Sequence, residues 1–362
     1  MHDIITIGSA TRDVFLISHA MHPHRAKDAL THIEACFPFG AKINADALHF
    51  DTGGGATNNA VTFARLGKLK VAAFCRVGKD PAGRDVYDAL KRDKVATALV
   101  QMTSAEQTGY STIISPGGEV GERTILVYRG ASEKFEHAKI PWNKLQAKWF
   151  YVSSLGGDLA LLQKILAHAK KINAQVAFNP GGQELSKLSP PLKVRGGWEG
   201  LWQSLTFLIL NREEAARLTG VKFENTKELL RALAHITPST IMTDGPKGAY
   251  AVLYHSRHSE PTHQSESSVR GRLHKESRTN VRAYFVPSVG HQPKNLTGAG
   301  DAFGSGFITG WIKNRGDVKY ALRLASFNAD SVVQHIGAKV GILSKYPAPS
   351  VLNHLPIKAF TL

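Results

Sequence analysis

The chain has 362 residues, 43% of them hydrophobic and 20% charged, which supports a large core and excludes a globally disordered chain. Its 45 Lys and Arg outweigh 29 Asp and Glu, a formal charge of +16 that favours phosphate-bearing or polyanionic partners without choosing between them. Two cysteines without metal-ligand spacing, Cys36 and Cys75, exclude a disulfide scaffold and read as free thiols; with no leader pattern in MHDIITIGSA and no apolar run of membrane-spanning length, the expected location is cytoplasmic.

In chain order, DIITIGSA (3–10) reads as a buried strand ending in Gly-Ser. ATNNAVTFARLG (56–67) has apolar residues at helical spacing and stops at Gly67, a natural helix terminus. KVAAFCRVG (70–78) reads as a strand and PAGRDVYDALKRDKV (81–95) as a helix with Pro at its start. KWFYVSSLG, LALLQKILAHAKKIN, QVAFNPG, TFLILNREEAARLTG and STIMTDG continue the alternation of strand and helix. Strands apolar on both faces, alternating with helices, predict a three-layer αβα fold around a central, mostly parallel sheet.

Two regions break that rhythm. Residues 107–130 read as two strands joined by a Pro-Gly-Gly turn with no crossover helix, and with parts of 12–52 they predict a small separate β-sheet, a lid. Residues 255–282 are polar and lack periodicity between AYAVLY and AYFVP, which predicts a hairpin carrying a long mobile insertion. The expected organisation is one domain over residues 1–350.

The chemistry concentrates in two glycine-rich segments. In KNLTGAGDAF (294–303), Gly298 and Gly300 let the backbone turn so that N–H groups converge at the start of a helix, with no side chain blocking an anion. An acid just inside such a nest, Asp301, suits phosphoryl transfer: amides offset the charge of the moving group while the carboxylate deprotonates an alcohol. The plainer reading is an acidic first helical turn after a glycine turn. In DTGGGATNNAVTFARLG (51–67), glycines precede a helix opening with Asn58 and Asn59; they read either as a polyol-binding turn or as a capped strand-to-helix connection. No G-x-x-x-x-G-K-[ST] phosphate loop occurs.

Side by side, the two segments resemble the signature regions of the ribokinase-like, or PfkB, carbohydrate kinases: GGGATNNAVTFARLG for the first and NLTGAGDAF for the second. IGSATRDVF, FNPGGQEL, NREEAARLTG and TDGPKGAY resemble further landmarks in the family's order, so the likeness spans residues 3–342. The resemblance implies an ATP-dependent phosphotransferase acting on a hydroxymethyl group of a small sugar or related polyol. It implies Asp301 as catalytic base, with the amides of Gly298, Ala299 and Gly300 as anion hole. Asp13, Gly53, Gly54 and Asn58 would hold sugar hydroxyls. Asn211 and Glu214 would organise Mg²⁺ and phosphates, Glu214 through water; Thr243, Gly245 and Gly248 would line the nucleotide site, and Asn328 would lie near the adenine.

Departures narrow the reading. Asn295 and Leu296 stand where the family's leading Asp-Thr occurs, so dependence on a monovalent cation does not carry over. Gly55 replaces the ribokinase lysine, which disfavours ribose. A nucleoside kinase of the same fold is the alternative. A noncatalytic relative binding nucleic acid or a protein partner is disfavoured, because Asp301 and the G-A-G run are intact. A homodimer is compatible with the sequence and membrane association is not expected. His19, His22 and His24 read as a solvated loop, Glu133 and Glu136 as surface charges, and Trp198 with Trp202 as helix packing.

Overall fold

The computed structural model describes residues 1–20, 23–25, 33–36, 40–116, 123–189, 199–254 and 281–362. β1 (His2–Ile7) is an apolar run whose residues after Asp3 are buried, and β2 (Thr11–Ile17) follows it after Gly8. β3 (Pro23–Arg25) and β4 (Ile33–Ala35) pair antiparallel as a separate ribbon. β5 (Ala47–Gly53) leads into α1 (Gly55–Arg65), then β6 (Val71–Phe74), β7 (Arg76–Gly78), α2 (Pro81–Arg92) and β8 (Gln101–Thr103). Asp80 caps α2, its Oδ1 accepting from the Gly83 amide at 2.7 Å.

β9 (Gly109–Ser115) and β10 (Thr124–Tyr128) form a hairpin, followed by β11 (Ala147–Val152), α3 (Leu159–Lys171), β12 (Gln175–Phe178), α4 (Gly182–Leu188) and α5 (Glu199–Gln203). β13 (Phe207–Asn211), α6 (Arg212–Thr219), α7 (Thr226–Ile236), β14 (Ser239–Thr243), β15 (Ala249–Tyr254) and β16 (Val281–Val286) come next. α8 (Ala299–Lys313), α9 (Val318–Val333), α10 (Pro349–His354) and β17 (Lys358–Thr361) complete the chain.

The central sheet runs β17-β16-β15-β14-β13-β12-β11-β1-β6, parallel from β6 to β14 and antiparallel at the β15–β17 edge. Alternation along its strands feeds two cores. Phe150, Val152, Leu208 and Leu210 pack with Leu161, Leu185, Leu218 and Leu229 of α3, α4, α6 and α7 on one face. Tyr151, Phe207 and Ile209 pack with Phe63, Phe303, Phe307 and Leu322 of α1, α8 and α9 on the other. The predicted three-layer αβα architecture is therefore observed. Among the described residues no helix is long and apolar enough to cross a membrane.

A smaller sheet, β10-β9-β2-β5, draws on the segments expected to form one. β2 pairs antiparallel with β5 and parallel with β9. β15 and β16 pair as the expected hairpin; of the insertion read at 255–282, residues 255–280 lie outside the described residues, as do His22 and Trp198.

Several local expectations need correction. The strand read at 70–78 is two: β6 joins the central sheet, whereas β7 pairs with β8, the break falling at Cys75, whose carbonyl accepts from Gln101 N. Gly67 is not the left-handed residue after α1; Lys68 is, at φ 48°, and Gly67 is required because a Cβ would lie 2.5 Å from the Phe63 carbonyl. β17 completes the edge of the main sheet, so the domain extends past residue 350. Glu136 is more than a surface charge, since with Glu106 it pairs the buried guanidinium of Arg76.

β13 and β14 end side by side, Asn211 opposite Thr243, and the next residue of each strand forms a buried ion pair. Arg212 Nη1 meets Asp244 Oδ2 at 2.7 Å, with side chains 8% and 7% exposed. Arg212 also donates to the carbonyls of Phe223 and Glu224 and lies over the Phe223 ring. The guanidinium thus locks the ends of both strands together. Removing one partner leaves the other charge buried and uncompensated, so Asp244→Ala is expected to cost about 3–5 kcal/mol. Urea denaturation measures this; a loss under about 1 kcal/mol, the level of an exposed pair, would mean the pair carries little of the local structure.

Candidate active site

The expected site residues gather at the carboxyl ends of the parallel strands, where open α/β sheets form their crevices. The approach to α8 is tightly built. The amides of Lys294 and Asn295 both donate to the Val333 carbonyl, and Asn295 Oδ1 accepts from Thr297 N at 2.6 Å. Gly298 then adopts φ 83°, and a Cβ on it would lie 2.7 Å from the Ala338 Cβ. Only glycine satisfies both constraints. Beyond it, Ala299 and Gly300 begin the helix with first-turn amides that lack intrahelical partners. Nothing lies within 4 Å of where a Gly300 Cβ would stand, leaving open space beside those amides.

Asp301 follows in the same turn, partly buried. Its Oδ2 accepts from Asn58 Nδ2 at 2.9 Å and its Oδ1 from Asn59 Nδ2 at 3.1 Å. Burial pushes the carboxyl above the ordinary carboxylate range, and the two carboxamides and the Lys339 charge pull it partly back. The result is an acid held in one orientation with both oxygens engaged. Asn58 therefore faces Asp301, a contact that the sequence pattern does not assign. Asn59, fully buried, also donates to the Gly55 carbonyl and to Ser153 Oγ. It was not singled out as a site residue, although its place after the glycine run was the available signal.

Gly53 and Gly54 permit close crossings. A Cβ on Gly53 would meet the Asp13 carboxylate, and one on Gly54, at φ 92°, would lie 2.5 Å from the Ser9 carbonyl. Asp13 is buried, accepting from Thr11 Oγ1 at 2.8 Å; burial raises its carboxyl, while Thr11, Lys339 and Ser111 oppose that shift. Across the crevice, Asn211 and Glu214 form a capping box: Asn211 Oδ1 accepts from Glu214 N, and Glu214 Oε2 accepts from Asn211 N, both at 2.8 Å. Burial, then the charges of Glu213 and Asp301, raise the Glu214 carboxyl, so the two expected acids share one electrostatic neighbourhood.

Thr243 ends β14, and residues 245–247 make a single tight turn with Gly245 at φ 53° and Gly248 at φ 118°. A Cβ on Gly248 would lie 2.0 Å from the Val286 carbonyl, so the loop is pressed onto β16. Asn328 departs from expectation. It is fully buried, donating to the Ala302 carbonyl and accepting from Leu343 N, so its side chain ties α9 to α8 and to the following segment. Lys339 and Glu184 were missed. Lys339 is buried, with Nζ donating to Thr52 Oγ1 at 2.8 Å and to the Thr52 carbonyl. Glu184 accepts from the amides of Leu155, Gly157 and Gly181, joining the loops after β11 and β12.

Among the described residues no three His, Cys, Asp or Glu side chains converge on a metal position. Magnesium commonly binds through one or two carboxylates plus substrate phosphates. Glu214, a carboxylate fixed at the start of α6 by its capping box with Asn211 and within electrostatic reach of Asp301, is a hard oxygen donor of the kind that mode uses.

Comparison with known proteins bears on the family and the fold. The model for the pfkB family carbohydrate kinases matches residues 1–345. The chain is 22% identical to the ribokinase of Haemophilus influenzae over 321 residues, 87% of this chain and 92% of that one. The solved ribokinase of Cryptococcus neoformans var. grubii in complex with ADP matches at TM-score 0.66 and 20% identity, over 98% of this chain and 99% of that one. Burkholderia thailandensis nucleoside kinase in complex with inosine matches at TM-score 0.65 and 17% identity, over 97% and 96%. At such identities the structural likeness speaks for the fold, and the family match rests on the sequence along nearly its whole length. This chain belongs to the pfkB family of carbohydrate kinases.

Proposed function

We propose that the protein transfers the γ-phosphoryl group of ATP to a hydroxymethyl group of a small sugar or related polyol, with Asp301 as the general base. The observation that carries this reading is the Asp301 carboxylate in the first turn of α8, fixed by Asn58 and Asn59 beside the amides of that turn. Asp301 takes the proton of the acceptor hydroxyl while the amides of Gly298, Ala299 and Gly300 offset charge on the phosphoryl in flight. Asp13, whose carboxylate lies where a side chain at Gly53 would stand, holds acceptor hydroxyls with the turn at Gly53 and Gly54. Thr243, Gly245 and Gly248 line the nucleotide site. Mg²⁺ supplies charge neutralisation on the phosphates when bound, and Asn211 and Glu214 would hold it, Glu214 through water. A nucleoside is the alternative acceptor, favoured by the match to a nucleoside kinase at almost the same TM-score as to a ribokinase.

A second copy of this chain is the partner we infer. The edge strand β10 is exposed along its length, with Leu126 59% and Val127 51% exposed, and Leu48 and Phe50 of β5 are exposed on the same small sheet. An apolar edge of this kind seeks another strand. Light scattering is expected to give a dimer for the parent and a monomer for Leu126→Glu; a parent monomeric at tens of micromolar would end this inference.

Asp301→Asn keeps size and one of the two accepting oxygens but takes no proton. General-base catalysis contributes ~10²–10⁴-fold, so kcat is expected to fall by about that factor, with ATP KM nearly unchanged. The folded-state carboxyl is raised above its unfolded value, so its ionised form works against folding; that penalty exists above the folded value and is relieved as pH falls through it. Losing the buried charge and losing one accepted hydrogen bond oppose each other, so Asp301→Asn should leave Tm at pH 7 close to the parent's. A variant turning over its best acceptor at the parental rate would overturn the assignment.

The pH profile gives an independent reading. Activity requires ionised Asp301, so kcat/KM, which reports the free enzyme, is expected to fall on the acid side along a limb lying above the ordinary carboxylate range. Asn58→Ala removes a donor to the ionised form and should move that limb to higher pH. A limb that stays in place, measured by steady-state kinetics, would remove Asn58 from this role.

A further inference from the structure

The small sheet sets up an electrostatic conflict. Asp13 of β2 and Asp51 of β5 are direct antiparallel partners, so their side chains share a face, where like charges repel. Asp13 is buried, and Asp51 Oδ2 is buried with no hydrogen-bond partner, although Oδ1 accepts from Thr52 N. A Cβ on Gly337, at φ 103°, would lie 2.6 Å from that same Asp51 Oδ2, so the segment after α9 packs directly beneath it. Two residues on, Lys339 extends its ammonium to Thr52, the residue next to Asp51. Its backbone is anchored from the other side: Arg65 Nη1 donates to the Lys339 carbonyl at 2.8 Å while Arg65 also clamps Asp93.

We propose that Lys339 is the built-in counter-ion of the Asp13–Asp51 pair and a positioning residue for the acceptor, holding the 51–54 turn in place and keeping Asp13 ionised to receive acceptor hydroxyls. The acceptor half of this inference rests on the kinase reading above; the counter-ion half does not. Burial alone would drive the Lys339 ammonium toward its neutral form, and the charges of Asp51, Asp13 and Asp93 oppose that, with Arg65 acting the other way. Its charge is also felt by Asp301 on α8 and by the Cys75 thiol, which burial nevertheless pushes up to about 12. The ammonium thus lowers the carboxyls of both Asp13 and Asp301 through space, while its hydrogen bonds go to Thr52. Its partners come from β2, β5, the ends of α1 and α2, and α8.

Lys339→Met keeps the apolar stem and removes the charge. The acceptor probe is whichever of D-ribose, D-fructose, inosine and adenosine the parent turns over fastest with ATP and Mg²⁺. Acceptor kcat/KM is expected to fall about 10- to 100-fold, the range for losing a hydrogen bond to a charged group, with ATP KM within about twofold, since the nucleotide loop lies elsewhere. The acid limb of kcat/KM should move to higher pH, because Asp13 and Asp301 lose the charge that holds them down. A purely structural lysine would lower Tm and leave both the KM split and the limb where they are, and that outcome would overturn the positioning role. The counter-ion role is read without turnover. Lys339→Met should lower Tm much less in an Asp51→Asn background than in the parent, because the unpaired carboxylate is gone; equal losses in the two backgrounds would overturn it. Should the parent phosphorylate no probe, the kinase reading fails together with the positioning role, while the Tm comparison still decides the counter-ion.

Discussion

Everything in the crevice depends on one hydrogen-bonded junction: the Asp301 carboxylate caught between the carboxamides of Asn58 and Asn59. The partners lie 243 and 242 residues apart, at the first turns of α8 and α1. A glycine-rich turn leads into each helix and presents backbone polar groups to the crevice, and the junction aligns one turn with the other. A carboxylate engaged through both oxygens has one orientation relative to the amides beside it, the condition that preorganised charge stabilisation requires. The same contacts offset part of the cost of enclosing a charge.

Close backbone approach makes the junction possible. Gly54 crosses the Ser9 carbonyl, Gly298 rests on Ala338, and Gly310 of α8 lies against Ala321 of α9, where a Cβ would stand 2.7 Å from the Ala321 Cα. Small residues at these crossings bring α1, α8, α9 and the 337–343 segment together over one face of the sheet. Protein interiors at this density transmit displacement instead of absorbing it. A shift in α9 would therefore reach Gly298 through Ala338, and Asp301 through Asn328 and Ala302. On the opposite side of the crevice the Arg212–Asp244 pair plays the equivalent part, fixing the ends of β13 and β14 and with them Asn211 and Thr243.

Charge is distributed unevenly around this frame. Asp13, Glu214 and Asp301 all have carboxyls raised by burial, each with compensating donors or charges of its own. Raised carboxyls concentrated in one crevice are the pattern of a site in which acids take up and release protons or meet a cation, and they set it apart from the basic surface implied by the overall charge.

The layer architecture was legible in the sequence because local pattern and burial agree there. Strands apolar on both faces can only lie inside a covered sheet, and helices with one apolar stripe can only cover it. The glycine-rich turns before α1 and α8 were legible for a related reason, since glycines ahead of a helical pattern mark a turn into a helix start. What local pattern could not supply was the destination of individual polar groups. Cys75 interrupts a run that reads as one strand because its carbonyl pairs with Gln101, a partner chosen by the fold. Asn328 was expected at a nucleotide surface and is buried, because α9 packs on α8 at glycine distance. Lys339 looks like any lysine in a glycine-flanked turn, yet it is buried because that turn lands beneath two facing aspartates. Periodicity and glycine spacing are properties of neighbours along the chain and so determined the elements by themselves, while the motifs in chain order carried the family resemblance. Which charges meet is a property of neighbours in space, and only the tertiary structure decided it.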